Sequence, residues 1–490
     1  MRKISLLLSF VCCSLLAAAN ITLPRIFGTN MVLQRNQAIP VWGWADPGEK
    51  ITVQFNQQTV KTKAGKDGSW RLSLKQEAAG GPYQFIVKGK NTITLDNVLV
   101  GEVWICSGQS NMEWPVKNSD SAQREIAASD YPLIRQIKVQ RTIAGEPAKD
   151  FPAGEWKASN PDNVGDFTAV GYFFGRKLFQ ELNVPIGLIN TSWGGTIIEA
   201  WTSKEAFERS EEFKNLYGQV SFADKQAAAE KEGKPVSPNS YPAILFNGMI
   251  NPLIPFAIKG AIWYQGESNA LRAFQYRKAF PLMIKDWRDR WGQGDFPFYF
   301  VQLASYAANN GNSAVGSSWG ELREAQTLTL SLPHTGMAVI MDIGVSNDIH
   351  PRNKQDVGAR LAAIALNNDY GMKREFSGPM YQSMQVDGNK IRLSFSHAAN
   401  GFMVKDKYGY LKGFEIAGDD RRFQYAKAHI ENNEVVVYND SIANPVAVRY
   451  GWADDMPEVN LYNKEGFPAS PFRTDNWKGI TEEAKYTLWK

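Results

Sequence analysis

Short, continuously apolar runs alternate with amphipathic stretches through the middle of the chain. Five runs occur in order, at 103–106, 186–189, 261–264, 298–301 and 337–341. The stretches between and after them predict helices at about 168–182, 242–251, 270–290, 319–330 and 352–367. Continuous apolar strands that alternate with helices are typical of a parallel sheet covered on both faces. This pattern predicts an α/β domain over residues 99–378.

Runs of β-branched and aromatic residues without a helical period lie on both sides of this domain. The N-terminal runs are separated by Gly, Pro and Asp turn residues and occur at 41–44, 51–55, 70–74, 83–87 and 93–95. Strands spaced in this way predict a small β-sandwich over residues 20–98. A C-terminal β region over residues 379–490 is predicted by further runs at 391–395, 414–416, 435–438 and 446–450. The polar stretch 219–240 predicts a surface excursion from the α/β domain.

The first residues of the chain, 1–19, have the pattern of a secretory signal peptide. Arg2 and Lys3 precede an apolar run, and three alanines follow it directly before Asn20. The run has about 13 residues, whereas a membrane-spanning helix needs roughly 20. We therefore expect cleavage before Asn20 and a periplasmic or extracellular mature protein. The alternatives for this segment are a membrane anchor and a lipoprotein modified at Cys12. No later stretch of the sequence is apolar enough to span a membrane.

The composition narrows the possible chemistry. The chain has 490 residues, of which 43% are hydrophobic and 21% charged, and 54 Lys and Arg residues face 50 Asp and Glu residues. No block of basic residues is present, so a nucleic-acid partner is not expected. Three cysteines and four histidines argue against a cysteine-rich metal site or a disulfide framework. Cys106 is the only thiol of the expected mature chain.

Small and polar residues follow four of the five predicted strands. In an open parallel sheet, ligands bind outside the carboxyl ends of the strands, so these segments are candidate walls of a site. They are 107–112, 190–196, 265–269 and 342–351. Their Ser, Gly, His and carboxylate residues fit a hydrolase that brings a nucleophile, backbone donors and a base into one cleft.

Ser110 and His350 are the best candidates for nucleophile and base. A serine hydroxyl becomes a good nucleophile only when a neighbouring base takes its proton. Of the other histidines, His334 is expected at the opposite edge of the sheet, and His397 and His429 belong to the C-terminal β region. Taken singly, the serine also fits an ordinary polar turn, and the histidine also fits a structural role.

Donors for an oxyanion are available in the same segments. They are the Ser110 N–H, a backbone N–H of Gly194 or Gly195, and the side-chain amide of Gln265. A tight turn is the alternative role of the two glycines.

The acid that would orient His350 is less clearly defined. Asp348 lies two residues before it and Asp342 eight before it. Either aspartate also fits a solvated loop. Glu267 is a further carboxylate near the cleft, and a loop or helix-capping contact is its alternative role.

Together, the four segments resemble the SGNH hydrolase superfamily and, more closely, the sialate O-acetylesterase family of carbohydrate acetylesterases. The matching stretches are 108–112, 193–196, 263–268 and 348–351 with Lys354, together with 319–326. Residues 23–27 and 42–45 look like the N-terminal β domain of that family. The similarity therefore extends over nearly the whole expected mature chain.

This resemblance implies a flavodoxin-like, three-layer α/β/α core and serine esterase chemistry without a cofactor. It assigns Ser110 as nucleophile and His350 as base, with the Ser110 N–H and a glycine of the second segment as oxyanion donors. In much of the superfamily an Asn of the third segment completes the hole, and the acid lies three residues before the His. Here the third segment begins with Gln265 and position 347 is Asn, so Gln265 is the expected donor and Asp348 a provisional acid.

The resemblance predicts removal of O-acetyl groups from sialic acids through an acetyl-enzyme. We expect Asn111, Glu267, Asn269 and Arg323 to contact the sugar, with Asn269 as a reserve oxyanion donor. The alternatives are an acetylesterase for plant polysaccharide such as xylan, and a non-catalytic glycan-binding protein that uses some of the 15 Trp residues. An O-acetylated glycan is the expected partner, no metal is expected, and the oligomeric state stays open.

Overall fold

The computed structural model of the chain describes residues 20–216, 221–239 and 241–487. The predicted signal peptide, residues 1–19, lies outside the described residues. Within the described ranges, no helix combines the length and the apolar character that crossing a membrane requires.

Two sheets form the N-terminal region. Within residues 20–108 the strands are β1 (Val32–Gln34), β2 (Ile39–Trp44), β3 (Lys50–Phe55), β4 (Gln58–Lys63), β5 (Ser69–Leu74), β6 (Gly80–Lys88) and β7 (Thr92–Gly108). One sheet contains β1, β3, β4, β6 and β7, and the other pairs β2 with β5. Phe27 packs against Trp42 of the second sheet and Phe85 of the first, with ring centroids 4.8 and 6.2 Å away. This arrangement agrees with the predicted β-sandwich.

Strand β7 continues from the N-terminal sheet into the centre of a larger one. Its first half pairs with β6, and its last residues pair with strands of the α/β domain. Every residue from Val98 to Gly108 is buried. The predicted boundary between residues 98 and 99 therefore falls inside one continuous strand.

A mostly parallel sheet forms the centre of the α/β domain. Its further strands in the described residues are β8 (Tyr131–Lys138), β9 (Trp156–Ser159), β10 (Ile186–Ser192), β11 (Gly260–Tyr264), β12 (Phe298–Val301) and β13 (Thr335–Ala338). The order is β13-β12-β11-β7-β10-β8-β9, and only β8 and β9 pair antiparallel along this path. The five strands predicted from the sequence, β7 and β10 to β13, have the order of a flavodoxin-like sheet.

Helices cover both faces of this sheet. The described residues form α1 (Ser110–Glu113), α2 (Ala122–Ala127), α3 (Ala169–Leu182), α4 (Lys204–Arg209), α5 (Phe222–Lys231), α6 (Ala273–Trp291), α7 (Ser318–Leu328) and α8 (Lys354–Asn368). Helices α3 and α8 pack together on one face, and α6 packs with α7 on the other. Trp104 contacts Phe174 of α3 with ring centroids 5.0 Å apart, and Trp263 contacts Trp287 of α6 at 5.9 Å. The predicted three-layer core is confirmed.

The sequence pattern does not predict the edge strands β8 and β9. Strand β8 contains Pro132 and Arg135, which interrupt an apolar run. Arg135 is nevertheless 3% exposed, because its guanidinium donates to the backbone carbonyls of Asn30 and Asn97 in the N-terminal region. A contact this distant in sequence leaves no local signal.

One helical prediction differs in detail from the structure, and the predicted surface excursion contains a short helix. The stretch 242–251 forms a π-helical turn, Phe246–Ile250, followed by a 3₁₀ turn, Asn251–Leu253. The surface excursion contains α5, which has no buried residue among its described positions. That exposure agrees with its polar sequence.

Small antiparallel sheets form the C-terminal region. Its described strands are β14 (Met380–Asp387), β15 (Lys390–Ser396), β16 (Phe402–Val404), β17 (Phe414–Ala417), β18 (Gln424–Tyr425), β19 (Lys427–Glu431), β20 (Glu434–Tyr438), β21 (Ala447–Tyr450), β22 (Leu461–Asn463) and β23 (Phe472–Arg473). The sheet orders are β14-β15-β20-β19, β16-β22 and β18-β17-β21-β23. The predicted β character of this region is confirmed.

Candidate active site

Ser110 lies at the turn between β7 and α1. Gly108 ends β7 with a φ of +133°, and a Cβ there would lie 2.2 Å from the Tyr264 carbonyl oxygen. Glycine is required for this close approach of β7 to the end of β11. The Gln109 side chain adds a second link, because its Oε1 accepts the Gly266 N–H at 3.3 Å. These contacts hold Ser110 at the carboxyl edge of the sheet. This is the place, next to β7, where the strand order reverses.

His350 lies within hydrogen-bonding distance of Ser110. Its Nε2 is 2.8 Å from Ser110 Oγ, as expected for a nucleophile and its general base. The imidazole stacks on Trp114, with ring centroids 5.0 Å apart and an interplanar angle of 17°. Burial and then the charge of Lys354 lower the pKa of His350 below its ordinary value, and Asp348 acts in the opposite direction. The imidazole is therefore neutral at neutral pH and able to accept the serine proton.

The other histidines lie where the sequence predicts them. His334 precedes β13, and its carbonyl accepts the Phe298 N–H at the amino edge of the sheet. His397 and His429 lie in the C-terminal region, where His397 Nδ1 is 2.8 Å from Glu375.

Asp348 holds the backbone of the histidine loop. Its Oδ1 accepts the His350 backbone N–H at 2.8 Å but lies 3.8 Å from His350 Nδ1. The second distance is too long for a hydrogen bond, although the charge still acts on the ring. Asp342, the other predicted acid, forms a bidentate pair with Arg360 at 2.7 and 2.8 Å. The arrangement is a Ser-His pair with an adjacent carboxylate.

Two of the predicted oxyanion donors lie together. The Ser110 N–H occupies the first position of α1, where a helix leaves its N–H groups without an internal partner. A Cβ on Gly194 would lie 3.1 Å from the Ser110 Cβ, so this glycine is packed against the nucleophile. Its N–H donates to Glu113 Oε2 at 3.1 Å. Gly195 has a φ of +75° and open space at its Cβ position, which fits the turn role.

Glu113 belongs to the site and is missed by the sequence analysis. Two nitrogens of Arg141 donate to its carboxylate at 3.0 and 2.5 Å, and Lys138 Nζ lies 3.7 Å away. Arg141 also lies over the Trp193 ring at 5.4 Å. The spacing of three residues from Ser110 on a helical turn is the signal that points to Glu113.

The structure corrects the predicted roles of Gln265 and Asn269. Their exposures are 0% and 1%. Gln265 Nε2 donates to the Thr196 carbonyl at 3.1 Å and to Asn269 Oδ1 at 2.7 Å, which uses both amide hydrogens. Asn269 Nδ2 donates to Glu199 at 3.0 Å. Both amides are engaged inside the protein, so neither is positioned to bind an oxyanion or a sugar.

Asn111 and Glu267 likewise contact each other. Asn111 Nδ2 donates to Glu267 Oε1 at 2.7 Å and to the Ile349 carbonyl at 3.0 Å, and Asn111 Oδ1 accepts from Lys354 Nζ at 2.5 Å. Asn111 is 1% exposed and Lys354 is 0% exposed. The predicted contact of Asn111 with the sugar is therefore corrected, whereas Glu267 is half-buried and its contact with the sugar stays a prediction.

Arg323 is a buried structural residue, which corrects its predicted contact with substrate. It is 0% exposed, and its guanidinium donates to backbone carbonyls of Leu303, Ala304, Ala453 and Asp454. Burial lowers its pKa to about 9, so the charge persists at neutral pH. The side chain joins the segment after β12 to the C-terminal region.

An open cleft of about 770 Å³ lies beside the Glu113 carboxylate. Its lining mixes cations, carboxylates and amides and includes Gln136, Lys138, Gln140 and Asp162. Such side chains offer many hydrogen bonds to a hydroxylated ligand. Across the described ranges, no group of three or more His, Cys, Asp or Glu residues is placed to hold a metal ion.

Known proteins resemble this chain over most of its length. The sialate O-acetylesterases of Pongo abelii, Homo sapiens and Mus musculus are 32%, 31% and 30% identical to it, over 90% of this chain and 90%, 90% and 92% of theirs. The crystal structure of a carbohydrate acetylesterase from Xanthomonas citri has a TM-score of 0.86 and 41% identity, and covers 94% of this chain and 100% of that one.

A serine paired with a neutral histidine at the edge of a flavodoxin-like sheet defines a serine hydrolase. Residues 100–367 match the family described as carbohydrate esterase, sialic acid-specific acetylesterase. With the relatives above, this match shows that the chain belongs to that family. The protein is therefore a carboxylic ester hydrolase, and the predicted family is confirmed.

Proposed function

We propose that this esterase removes O-acetyl groups from sialic acids through an acetyl-enzyme intermediate. The observation that carries the proposal is the 2.8 Å contact between Ser110 Oγ and His350 Nε2. The substrate follows from the relatives, which are sialate O-acetylesterases. The dyad and the family membership argue against the alternative of a non-catalytic glycan-binding protein.

In the first half of the reaction, Ser110 Oγ attacks the acetyl carbonyl carbon while His350 Nε2 takes the hydroxyl proton. The charge that develops on the carbonyl oxygen is stabilised by the Ser110 N–H. The Gly194 N–H becomes a second donor when the substrate oxygen displaces the Glu113 carboxylate. The bond between the acetyl carbon and the sugar oxygen then breaks, and His350 gives its proton to the departing oxygen.

In the second half, water hydrolyses the acetyl ester of Ser110. His350 takes a proton from the water, whose oxygen attacks the acetyl carbon. The tetrahedral intermediate collapses, acetate leaves, and His350 returns the proton to Ser110 Oγ. The same imidazole acts first as base and then as acid in each half, and its role as base requires that its pKa lie below the working pH.

Replacing the nucleophile tests this proposal. In Ser110→Ala, we expect acetate release from O-acetylated sialic acid to fall by about 10⁴-fold or more, because no hydroxyl remains to be acylated. Ser73→Ala, at an exposed position of β5, is the matched control and should keep the wild-type rate. Circular dichroism checks that both variants are folded. A wild-type rate in folded Ser110→Ala contradicts the assignment.

Acetylated plant polysaccharide such as xylan is a second candidate substrate. The chain is more similar to the Xanthomonas citri carbohydrate acetylesterase, at 41% identity, than to the human sialate O-acetylesterase, at 31%. The cleft beside Glu113, which Ser110 and His350 do not line, contains more carboxylates than cations and so offers no net positive charge to a sialate. Comparing kcat/KM for O-acetylated sialic acid with that for acetylated xylan decides between the two.

We further propose that the protein is exported. The basic start, the apolar run and the alanines before Asn20 support this. N-terminal sequencing of the protein from its native host should begin at Asn20, and a mature protein that begins at Met1 contradicts export by cleavage.

A further inference from the structure

Three segments of the site meet at a buried polar group beneath the dyad. Asn111 directly follows Ser110, and Ile349 directly precedes His350. The hydrogen bond from Asn111 Nδ2 to the Ile349 carbonyl, at 3.0 Å, therefore ties the serine turn to the histidine loop. Glu267 reaches the same amide from the segment after β11, at 2.7 Å.

Lys354 completes this group from the first position of α8. Its Nζ donates to Asn111 Oδ1 at 2.5 Å and lies over the rings of Tyr264 and Trp114 at 5.3 and 5.8 Å. The ring of Trp114 in turn stacks on His350. Lys354 therefore contacts both the residue that follows the nucleophile and the ring that supports the base.

Lys354 and Glu267 act on each other through their electrostatic effect, and Asn111 lies between them. Glu267 Oε1 accepts from Asn111, and within the described part of the chain Glu267 Oε2 is a buried atom without a hydrogen-bond partner. A buried charge is costly unless an opposite charge or strong hydrogen bonds compensate it. The Asn111 amide connects the two ions, with its oxygen toward the cation and its nitrogen toward the anion.

We propose that Lys354 and Glu267, bridged by Asn111, are positioning residues that hold His350 against Ser110 for catalysis. The proposal deepens the proposed function, since it rests on esterase chemistry at the same dyad. It goes beyond that function because it assigns a task to the buried residues Asn111 and Lys354 and to the half-buried Glu267 beneath the dyad.

The orientation of the Asn111 amide is the physical basis of this proposal. Lys354 Nζ donates to its oxygen and Glu267 Oε1 accepts from its nitrogen, so both contacts favour one of the two amide orientations. In that orientation Nδ2 also donates to the Ile349 carbonyl. Removing the Lys354 amine allows the amide to rotate, which would turn an oxygen toward that carbonyl and repel the histidine loop. A displacement of about 1 Å at a catalytic group costs on the order of 10²-fold in rate.

The same lysine also acts on the charge of the imidazole. The groups that act on His350 are Lys354 from α8, Asp348 from its own loop, Ser110 from α1 and the stacked ring of Trp114. Burial lowers the pKa of Lys354 to about 7, and the carboxylates of Glu267 and Asp348 act in the opposite direction. Loss of the Lys354 cation removes one cause of the lowered His350 pKa, so the imidazole should become easier to protonate.

The test measures kcat, KM and the pH profile of Lys354→Met with p-nitrophenyl acetate as the probe. We expect kcat to fall by about 10- to 100-fold with KM within about threefold, because the variant displaces the base without changing the acetyl site. The acid limb of kcat/KM should move up by about half a pH unit. The double variant that combines Lys354→Met with Glu267→Gln should have a kcat only slightly below that of Lys354→Met alone, because the two residues act as one unit.

Arg288→Met is the matched control, because it removes another buried cation. Arg288 is 4% exposed and donates to the Phe296 and Pro333 carbonyls at the amino edge of the sheet. It should lower stability and leave the acid limb in place. This control separates general destabilisation from positioning.

A folded Lys354→Met protein with kcat within twofold of wild type and an unmoved acid limb overturns the proposal. If Lys354→Met does not fold, Asn111→Ala is measured instead, which keeps both charges and removes the bridge. A wild-type kcat in folded Asn111→Ala overturns the proposal in the same way. Failure of the esterase assignment is distinguishable, because then Ser110→Ala would release acetate.

Discussion

At the scale of single residues, charges of opposite sign act on His350. Burial and then Lys354 lower the pKa of His350 and favour the neutral imidazole, whereas Asp348 favours the protonated one. The resulting pKa lies below the ordinary 6.5. Because the neutral ring is the active base, kcat/KM should fall as the pH drops through that lowered pKa.

Asp348→Asn tests how far the carboxylate contributes to catalysis. We expect kcat to fall by less than about tenfold, because no hydrogen bond to His350 Nδ1 is lost, whereas replacing the acid of a full triad costs about 10⁴-fold. The acid limb of kcat/KM should move to lower pH, since the charge that favours the imidazolium is removed. A pH series from 4 to 8 with a soluble acetyl ester measures both effects.

Asp348→Ala is the matched variant. An asparagine oxygen still accepts the His350 backbone N–H, which the carboxylate accepts at 2.8 Å, whereas alanine accepts nothing. The alanine variant should therefore lose more activity than the asparagine variant. A loss near 10⁴-fold in Asp348→Asn would show that Asp348 completes a triad in the transition state.

Single residues also show which parts of the site the sequence does not predict. His350 is predicted because the chain has only four histidines, and Ser110 because strand order brings its turn to the same edge of the sheet. Asn111, Gln265 and Asn269 lie in the same segments, yet all three are buried. In a turn, neighbouring side chains follow no fixed alternation, so position next to the nucleophile does not imply contact with the substrate.

At the scale of elements, β7 determines where the nucleophile lies. Its central place in the sheet brings Ser110 between the ends of β10 and β11. The five continuous apolar strands are predicted because burial on both faces gives a local signal. The edge strand β8 is missed because its Arg135 is compensated by carbonyls from the N-terminal region, a long-range effect without a local pattern.

Gly108→Ala tests this role of β7. The added Cβ would stand 2.2 Å from the Tyr264 carbonyl oxygen at a φ of +133°. We expect the free energy of unfolding to fall by about 3 kcal/mol or more, and kcat to fall at least about tenfold, because the ends of β7 and β11 must separate. Urea unfolding and acetate release measure the two effects.

Gly292→Ala is the control for backbone strain alone. Gly292 follows α6 with a φ of +64°, and no atom lies within 4 Å of its Cβ position. The Gly292→Ala substitution should lower the free energy of unfolding by about 1 kcal/mol and leave kcat unchanged. Equal losses of stability and activity in the two variants would contradict a specific role of the contact between β7 and β11.

At the scale of the whole molecule, the C-terminal region contacts the segment after β12, and that segment contacts the histidine loop. Asp454 accepts the backbone N–H groups of Asn309 and Gly311, both at 3.0 Å. In the same segment, the Ala307 N–H donates to the Ser346 carbonyl, two residues before Asp348. No local sequence pattern predicts the Asp454 contacts, since the partners lie more than a hundred residues apart. The C-terminal β region is therefore connected to the catalytic edge through the segment that follows β12.

Arg323→Met tests this connection. The four carbonyls that Arg323 binds, two after β12 and two in the C-terminal region, would lose a charged donor inside the protein. Hydrogen bonds to charged groups contribute roughly 1.5–3 kcal/mol each and are not additive, so we expect unfolding to become easier by at least about 3 kcal/mol. Arg71→Met, at an exposed position of β5, should change stability by less than about 0.5 kcal/mol. Because Arg323 touches no substrate, KM should match wild type at temperatures where the variant is folded. A raised KM with unchanged stability would show that Arg323 contacts the substrate. Urea unfolding and steady-state kinetics on the same sample distinguish the two outcomes.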